Sequence, residues 1–178
     1  MAHMPGLVYA VAMSLKTIIA QLRRHDLFTA IDQMRLEVIA FTAERAHFEP
    51  GELLFEMGEE GADAYLILEG EALMVAGPHD TGHRVDAGDL IGEMALLQGD
   101  TGSYRRSSVR AVSRVEAMVI SHYLFQRLLQ EFPEMAEAVA GALMRRLGQT
   151  ANEMTRLAHD LERHRGGQNR KIGDGQNE

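Results

Sequence analysis

The chain contains no cysteine. That excludes a disulfide framework and any thiolate metal site, and nothing else calls for an oxidising compartment, so the expected location is the cytoplasm. Basic residues are also scarce: 18 Lys and Arg stand against 26 Asp and Glu, a formal net charge of −8. Affinity for nucleic acid rests on Lys and Arg neutralising phosphates, so this balance argues against direct nucleic-acid binding. No apolar run is long enough to span a bilayer. The run from Gly6 to Met13 is short and follows no Lys or Arg, so it reads neither as a membrane span nor as a signal peptide. There is no internal repeat, helix-turn-helix pattern or Walker-type loop, no activated serine, and no carboxylate pair with an evident cleft, which disfavours an enzyme and leaves no catalytic residue to name.

What is present suits one domain with terminal extensions, since 178 residues of 46% hydrophobic composition bury a single sizeable core. Residues 1–13 read as a flexible N-terminus or an expression remnant, with Met4 or Met13 as alternative starts. Leu15, Ile18, Ile19 and Leu22 recur at helical spacing behind a capping Ser14, which predicts a first helix ending near His25. Met34, Val38, Ile39 and Thr42 predict a second from about Asp32 to Ala46, completing an N-terminal helical region over 14–46.

The grammar then changes. Between His47 and Ser121, glycines divide short runs such as Ala64-Tyr65-Leu66-Ile67-Leu68 and Ala117-Met118-Val119-Ile120. Short strands separated by turns at this density predict an antiparallel jelly-roll β-barrel over 47–121. Within it, Gly92 to Gln98 reads as one to two helical turns. Helical periodicity returns after Ser121, with a short helix from Tyr123 to Gln130 and a long one that opens at Pro133 and continues to about Arg165. The polar, Gly-rich stretch 166–178 has no apolar face and reads as a disordered tail. The expected class is therefore α+β, mainly β: a jelly-roll barrel flanked by N-terminal helices and, over 122–165, C-terminal lid and dimerisation helices that end in a long one.

Two stretches carry chemistry. Gly92-Glu93-Met94-Ala95-Leu96-Leu97 opens a short helix inside the β-rich region, and Arg105-Arg106-Ser107-Ser108-Val109-Arg110-Ala111 follows. Unpaired N–H groups at a helix start favour an anionic phosphate, and arginine completes its neutralisation with forked hydrogen bonds. A carboxylate such as Glu93 repels phosphate, but it suits a sugar hydroxyl, from which it accepts a hydrogen bond.

At these residues the chain resembles the cyclic-nucleotide-binding domain family, whose cassette runs Phe-Gly-Glu-x-Ala-Leu, a short loop, then Arg-x-Ala-Ser/Thr-Val. Phe48-Glu49-Pro50-Gly51-Glu52-Leu53-Leu54-Phe55 and Asp63-Ala64-Tyr65-Leu66-Ile67-Leu68-Glu69-Gly70 match the family's strand motifs, and the likeness extends from about Leu22 to Arg165. The resemblance implies cAMP, ahead of cGMP, as ligand. Glu93 would bind the ribose 2′-hydroxyl, Gly92 with the amides of Met94 and Ala95 would line the sugar-phosphate, and Arg105 would pair with the phosphate. Ser107 and Ser108 would lie beside phosphate or base, and the C-terminal helix would act as a lid that reports occupancy to a partner. The chain departs from the pattern in a Gly92–Arg105 spacing about three residues longer than usual, in Ile91 for Phe, and in Arg106 for a small residue.

Strand alternation separates the two arginines. Arg105, Ser107, Val109 and Ala111 share one face and Arg106, Ser108 and Arg110 the other, so the face with small and apolar residues assigns Arg105 to an enclosed ligand. In the last helix Leu143, Leu147, Thr150, Met154, Leu157 and Leu161 form a 4-3 seam, which predicts a homodimer; Leu143 and Leu147 are expected near the barrel and Met154 to Leu161 toward the partner. Two alternatives remain open. One is a ligand-free scaffold of the same fold. The other is a cupin-like metalloenzyme through His79 and His83, disfavoured because these histidines are four apart beside a Gly77-Pro78 turn, and no metal site is expected.

Overall fold

The computed structural model describes residues 14–77, 80–97, 104–145, 148, 151–152 and 154–156. The chain enters through α1 (Leu15–Leu22), α2 (Asp26–Thr29) and α3 (Gln33–Thr42), then passes into eight strands. The oxygen of Ser14 accepts from the Thr17 amide at 3.2 Å and that of Asp32 from the Arg35 amide at 3.2 Å, so a side chain caps both longer helices. α1 buries Ile18, Ile19 and Leu22 as its apolar spacing requires.

The second helix differs from expectation in length and in face. It ends at Thr42 because Ala43 turns extended (φ −66, ψ 137) and residues 44–48 become β1. Those residues pair antiparallel with β8 from Glu44↔Val119 to Phe48↔Val115, a ladder that overrides their local helix propensity. The buried stripe is Leu36, Ile39 and Ala40, whereas Met34 and Val38 lie exposed.

Strands β1 (Glu44–Phe48), β2 (Leu53–Phe55), β3 (Ala64–Glu69), β4 (Ala72–Val75), β5 (His83–Val85), β6 (Leu90–Ile91), β7 (Ser108–Ala111) and β8 (Val115–Ile120) form two four-stranded sheets. Their orders are β1-β8-β3-β6 and β2-β7-β4-β5, the jelly-roll arrangement. Among the described strands no pairing joins the two sheets, so the expected barrel is an open sandwich.

The central strands β3 and β8 of the first sheet are buried on both faces, whereas its edge strand β1 is largely exposed. Ala64, Leu66 and Leu68 of β3, with Met118 and Ile120 of β8, face the helices; Ile67, Val115 and Ala117 face the second sheet. This alternation follows from the two-residue period of a strand. Against the outer face pack α4 (His122–Glu131), with Phe125 edge-on to Phe28 at 6.0 Å, and α5 (133–145), through Met135, Val139 and Ala142. Arg35 ties α3 to the start of α5 by pairing with Glu134 and lying 4.1 Å over the Phe132 ring. Leu143 packs on this core as expected, Met154 is exposed, and Leu147, Thr150, Leu157 and Leu161 lie outside the described residues. Among the described residues no helix is long and apolar enough to cross a membrane.

Candidate functional site

β6 ends at Ile91, and the chain turns through Gly92 at φ +73, a conformation that a side chain disfavours. A five-residue 3-10 helix, Glu93–Leu97, follows and supplies the expected one to two helical turns. Ala95 and Leu96 are buried and anchor it. The Ala95 amide donates to the Gly92 carbonyl at 3.0 Å, which closes the 3-10 turn. That hydrogen bond corrects the expectation that this amide faces a ligand. Two α4 side chains hold the segment from behind: the His122 ring donates through Nδ1 to the Ala95 carbonyl at 3.2 Å, and Gln126 Nε2 donates to the Leu96 carbonyl at 2.5 Å. A helix this short has a small dipole, so an anion here depends on side-chain charge.

That charge is Arg105. Its backbone pairs with the 58–60 segment, donating to the Glu59 carbonyl and accepting from the Gly58 amide, both at 2.9 Å. Its side chain is 7% exposed, the one buried charged residue among the described residues. The guanidinium lies 4.4 Å over the Phe55 ring and 5.8 Å from that of Tyr65. Nη1 donates to the Asp63 carbonyl at 2.8 Å, while Nε is buried with no hydrogen-bond partner. Among the described residues no carboxylate forms an ion pair with it. A buried charge without a counter-charge is unfavourable, and an anion in the adjoining space removes the penalty. Burial pushes the Tyr65 phenol above its ordinary pKa against the opposing pull of Arg105, so the ring stays neutral beside the cation.

Two glycines form the cage. A Cβ on Gly61 would lie 2.6 Å from Arg105 Nε, and one on Gly92 would lie 2.7 Å from Nη1. Gly61 is one of the glycines that divide the short runs between His47 and Ser121. Its contact with Arg105 spans 44 positions of the chain and has no local signature.

A pocket of about 230 Å³ opens beside the guanidinium. The expected site residues Gly92, Glu93, Met94, Ala95, Arg105 and Ser107 lie together in its lining, with Phe55, Met74, Tyr104 and Arg106 beside them. Arg105, Val109 and Ala111 are buried while Arg106 and Arg110 are exposed, the burial that alternation leads one to expect, although β7 begins only at Ser108 and 106–107 form a bend before it. Ser108 does not join the pocket. It lies on the opposite face, where its hydroxyl accepts from the Met57 amide at 3.0 Å, beside a separate groove of about 320 Å³ on the outside of the second sheet. Among the described residues no three His, Cys, Asp or Glu side chains converge; His83 is exposed on β5, and His79 lies outside those residues.

Comparison with known proteins places this geometry. The family model for the cyclic nucleotide-binding domain matches residues 45–132. The solved structure of a cyclic nucleotide-binding-like protein from Brucella abortus is 30% identical, with a TM-score of 0.56, over 64% of this chain and 98% of that one. The chain belongs to the cyclic-nucleotide-binding domain family. The match runs from β1 to Phe132, so the cyclic-nucleotide-binding core comprises both sheets, the 3-10 helix and α4. The chain is also similar to the cAMP-activated global transcriptional regulator CRP of Haemophilus influenzae, 31% identical over 59% of this chain. A putative potassium channel protein of Rhodopseudomonas palustris is 31% identical over 58% of it. The chain spans 48% of the regulator and 25% of the channel protein, so here the domain corresponds to one part of longer relatives.

Proposed function

We propose that the domain is a sensor for a cyclic nucleotide, cAMP ahead of cGMP, and that Arg105 holds the phosphate. The buried guanidinium, which forms no ion pair with a carboxylate among the described residues and leaves Nε without a hydrogen-bond partner, carries this reading, because a desolvated cation gains from an anionic ligand. Glu93 would accept from the ribose hydroxyl, and Gly92, Met94, Ala95 and Ser107 would enclose the sugar-phosphate. The preference for cAMP follows the name of the Haemophilus influenzae regulator. The output would pass through the helix that begins with α5, on a homodimer or an effector protein; the exposed Met154 on the 4-3 seam supports a partner surface there.

Calorimetric titration of nucleotide-stripped protein with cAMP and cGMP tests the reading. Saturable binding of one nucleotide is expected, stronger for cAMP. Heats at the dilution baseline with both would refute it and leave the ligand-free scaffold, a reading that Arg106 at the pocket mouth, in place of a small residue, favours. Dimerisation is checked by sedimentation: the parent should sediment as a dimer at micromolar concentration and Met154→Glu as a monomer. Identical monomers would remove the seam.

A further inference from the structure

We propose that Asp63 is a positioning residue that links the Arg105 guanidinium to the first turn of α4, an inference that rests on reading Arg105 as the anion site. One residue makes both connections. Its carbonyl oxygen accepts from Arg105 Nη1 at 2.8 Å, and its carboxylate Oδ1 accepts from the His122 amide at 2.8 Å. The first amides of a helix lack intrahelical acceptors, so this carboxylate satisfies one of α4's, at the end where negative charge is favoured.

The junction has little slack. The Asp63 carbonyl oxygen lies 3.2 Å from where a Gly92 Cβ would stand, so the Gly92 turn, the guanidinium and the Asp63 peptide are in close contact. His122 completes the link, since its amide is on Asp63 while its ring donates to the carbonyl of Ala95, which lines the pocket. The start of α4 therefore holds the Asp63 peptide beside Arg105 and the 3-10 helix at once. A shift of the guanidinium toward a phosphate that takes the unpartnered Nε readjusts its Nη1 hydrogen bond to the Asp63 carbonyl. The carboxylate of the same residue transmits that readjustment to α4 with only a few covalent bonds between, which limits how far it can be absorbed locally.

The test reads the link from both ends. In ligand-free protein, Asp63→Ala should shift the NMR resonance of Arg105 Nε–H, whereas Asp63→Asn, which keeps an acceptor for the His122 amide, should leave it near the parent. From the other end, Arg105→Met should raise the hydrogen-exchange rate of the His122 amide. In cAMP titrations Asp63→Ala should lose roughly tenfold in affinity and Asp63→Asn roughly threefold or less. A general loss of packing would not be rescued by Asn, nor would it appear at the His122 amide in a folded Arg105 variant. An unmoved Arg105 resonance in folded Asp63→Ala overturns the proposal. If Asp63→Ala does not fold, unchanged His122 exchange in Arg105→Met overturns it alone. A parent that binds neither cAMP nor cGMP sinks the anion reading, while the two ligand-free measurements still decide the link.

Discussion

Substituting Gly61 by Ala tests the cage without touching any residue that would contact a ligand. The new Cβ would stand 2.6 Å from Arg105 Nε and 2.9 Å from Nη2, so the guanidinium must retreat by roughly 0.8 Å to reach ordinary contact. Phe55 on one side and the Gly92 turn on the other limit where it can go. A hydrogen bond stretched from about 2.9 to about 3.7 Å is no longer one, and a charge-assisted bond is worth about 1.5–3 kcal/mol. Affinity for cAMP should therefore fall about 10- to 150-fold.

Stability should respond differently. Gly61 is not among the positive-φ glycines, so alanine meets no backbone strain there. Restricting the unfolded chain contributes about 0.4–1 kcal/mol in favour of the folded state, which offsets much of the side-chain displacement. Urea denaturation should place the variant within about 1 kcal/mol of the parent, while calorimetry shows the loss of affinity. In an Arg105→Ala background the clash disappears, and the same substitution should become neutral or stabilising. Parent-like cAMP affinity in Gly61→Ala would refute the argument, because it would mean that the guanidinium's position does not determine binding.

The two adjacent arginines should differ sharply by calorimetry: Arg105→Ala loses about 2–5 kcal/mol of binding, whereas the exposed Arg106→Ala loses about 0–1 kcal/mol, and the reverse order would give the phosphate to Arg106, which lines the same pocket. Glu93→Ala should weaken cAMP at least roughly tenfold with the fold intact, and unchanged affinity would remove the ribose contact. The Asp80 carboxyl is held below its ordinary pKa by the Ala76 and Gly82 amides that donate to it. Its contribution to stability is thus present above the ordinary carboxylate range and lost as pH falls through the folded pKa, so Asp80→Ala should flatten the acid limb of urea midpoints between about pH 5 and pH 2; a limb as steep as the parent's would reject the contribution.

The features legible in the sequence are those whose cause is local. Glycine-punctuated runs with a two-residue period gave the jelly-roll strands, and the same period put Arg105 inside and Arg106 outside, as the burial along 104–111 has it. Applied consistently, it also separates Ser107 from Ser108, whose inclusion in the pocket neglected the parity of its own strand. The features that escaped are long-range. Residues 43–46 read as helix because their local propensity is helical, and only the ladder to β8, some seventy positions away, makes 44–48 a strand. Met34 and Val38 were read as core because their spacing fits a helix face, but Leu36, Ile39 and Ala40 give an equally valid stripe, and only packing against the first sheet selects between them. The Gly61 cage and the Asp63 junction join segments that no window along the chain contains together.

The placement of Arg105 also bears on where selectivity must reside. Desolvation between Phe55 and Tyr65 strengthens attraction to any phosphate in the pocket, because the interaction acts through a medium less polarisable than water. A single buried cation does not distinguish a cyclic phosphodiester from an open monoester; the doubly charged monoester is attracted at least as strongly. Discrimination has to come from the groups that repel or exclude. Glu93 lines the same 230 Å³ pocket, so an incoming anion approaches a carboxylate as well as a guanidinium. On this reading a ligand gains only if its phosphate is held on the Arg105 side and a hydroxyl is presented to Glu93. A 3′,5′-cyclic phosphate fixes that relation, since its ring fuses the phosphate to the sugar and leaves the 2′-hydroxyl beside it. An open monoester has rotational freedom to lose and a second negative charge to place near Glu93. On this reading Arg105 would supply the affinity common to phosphates, and Gly92 and Glu93, at the start of a short helix held at its Ala95 and Leu96 carbonyls by His122 and Gln126, would supply the geometry that selects among them.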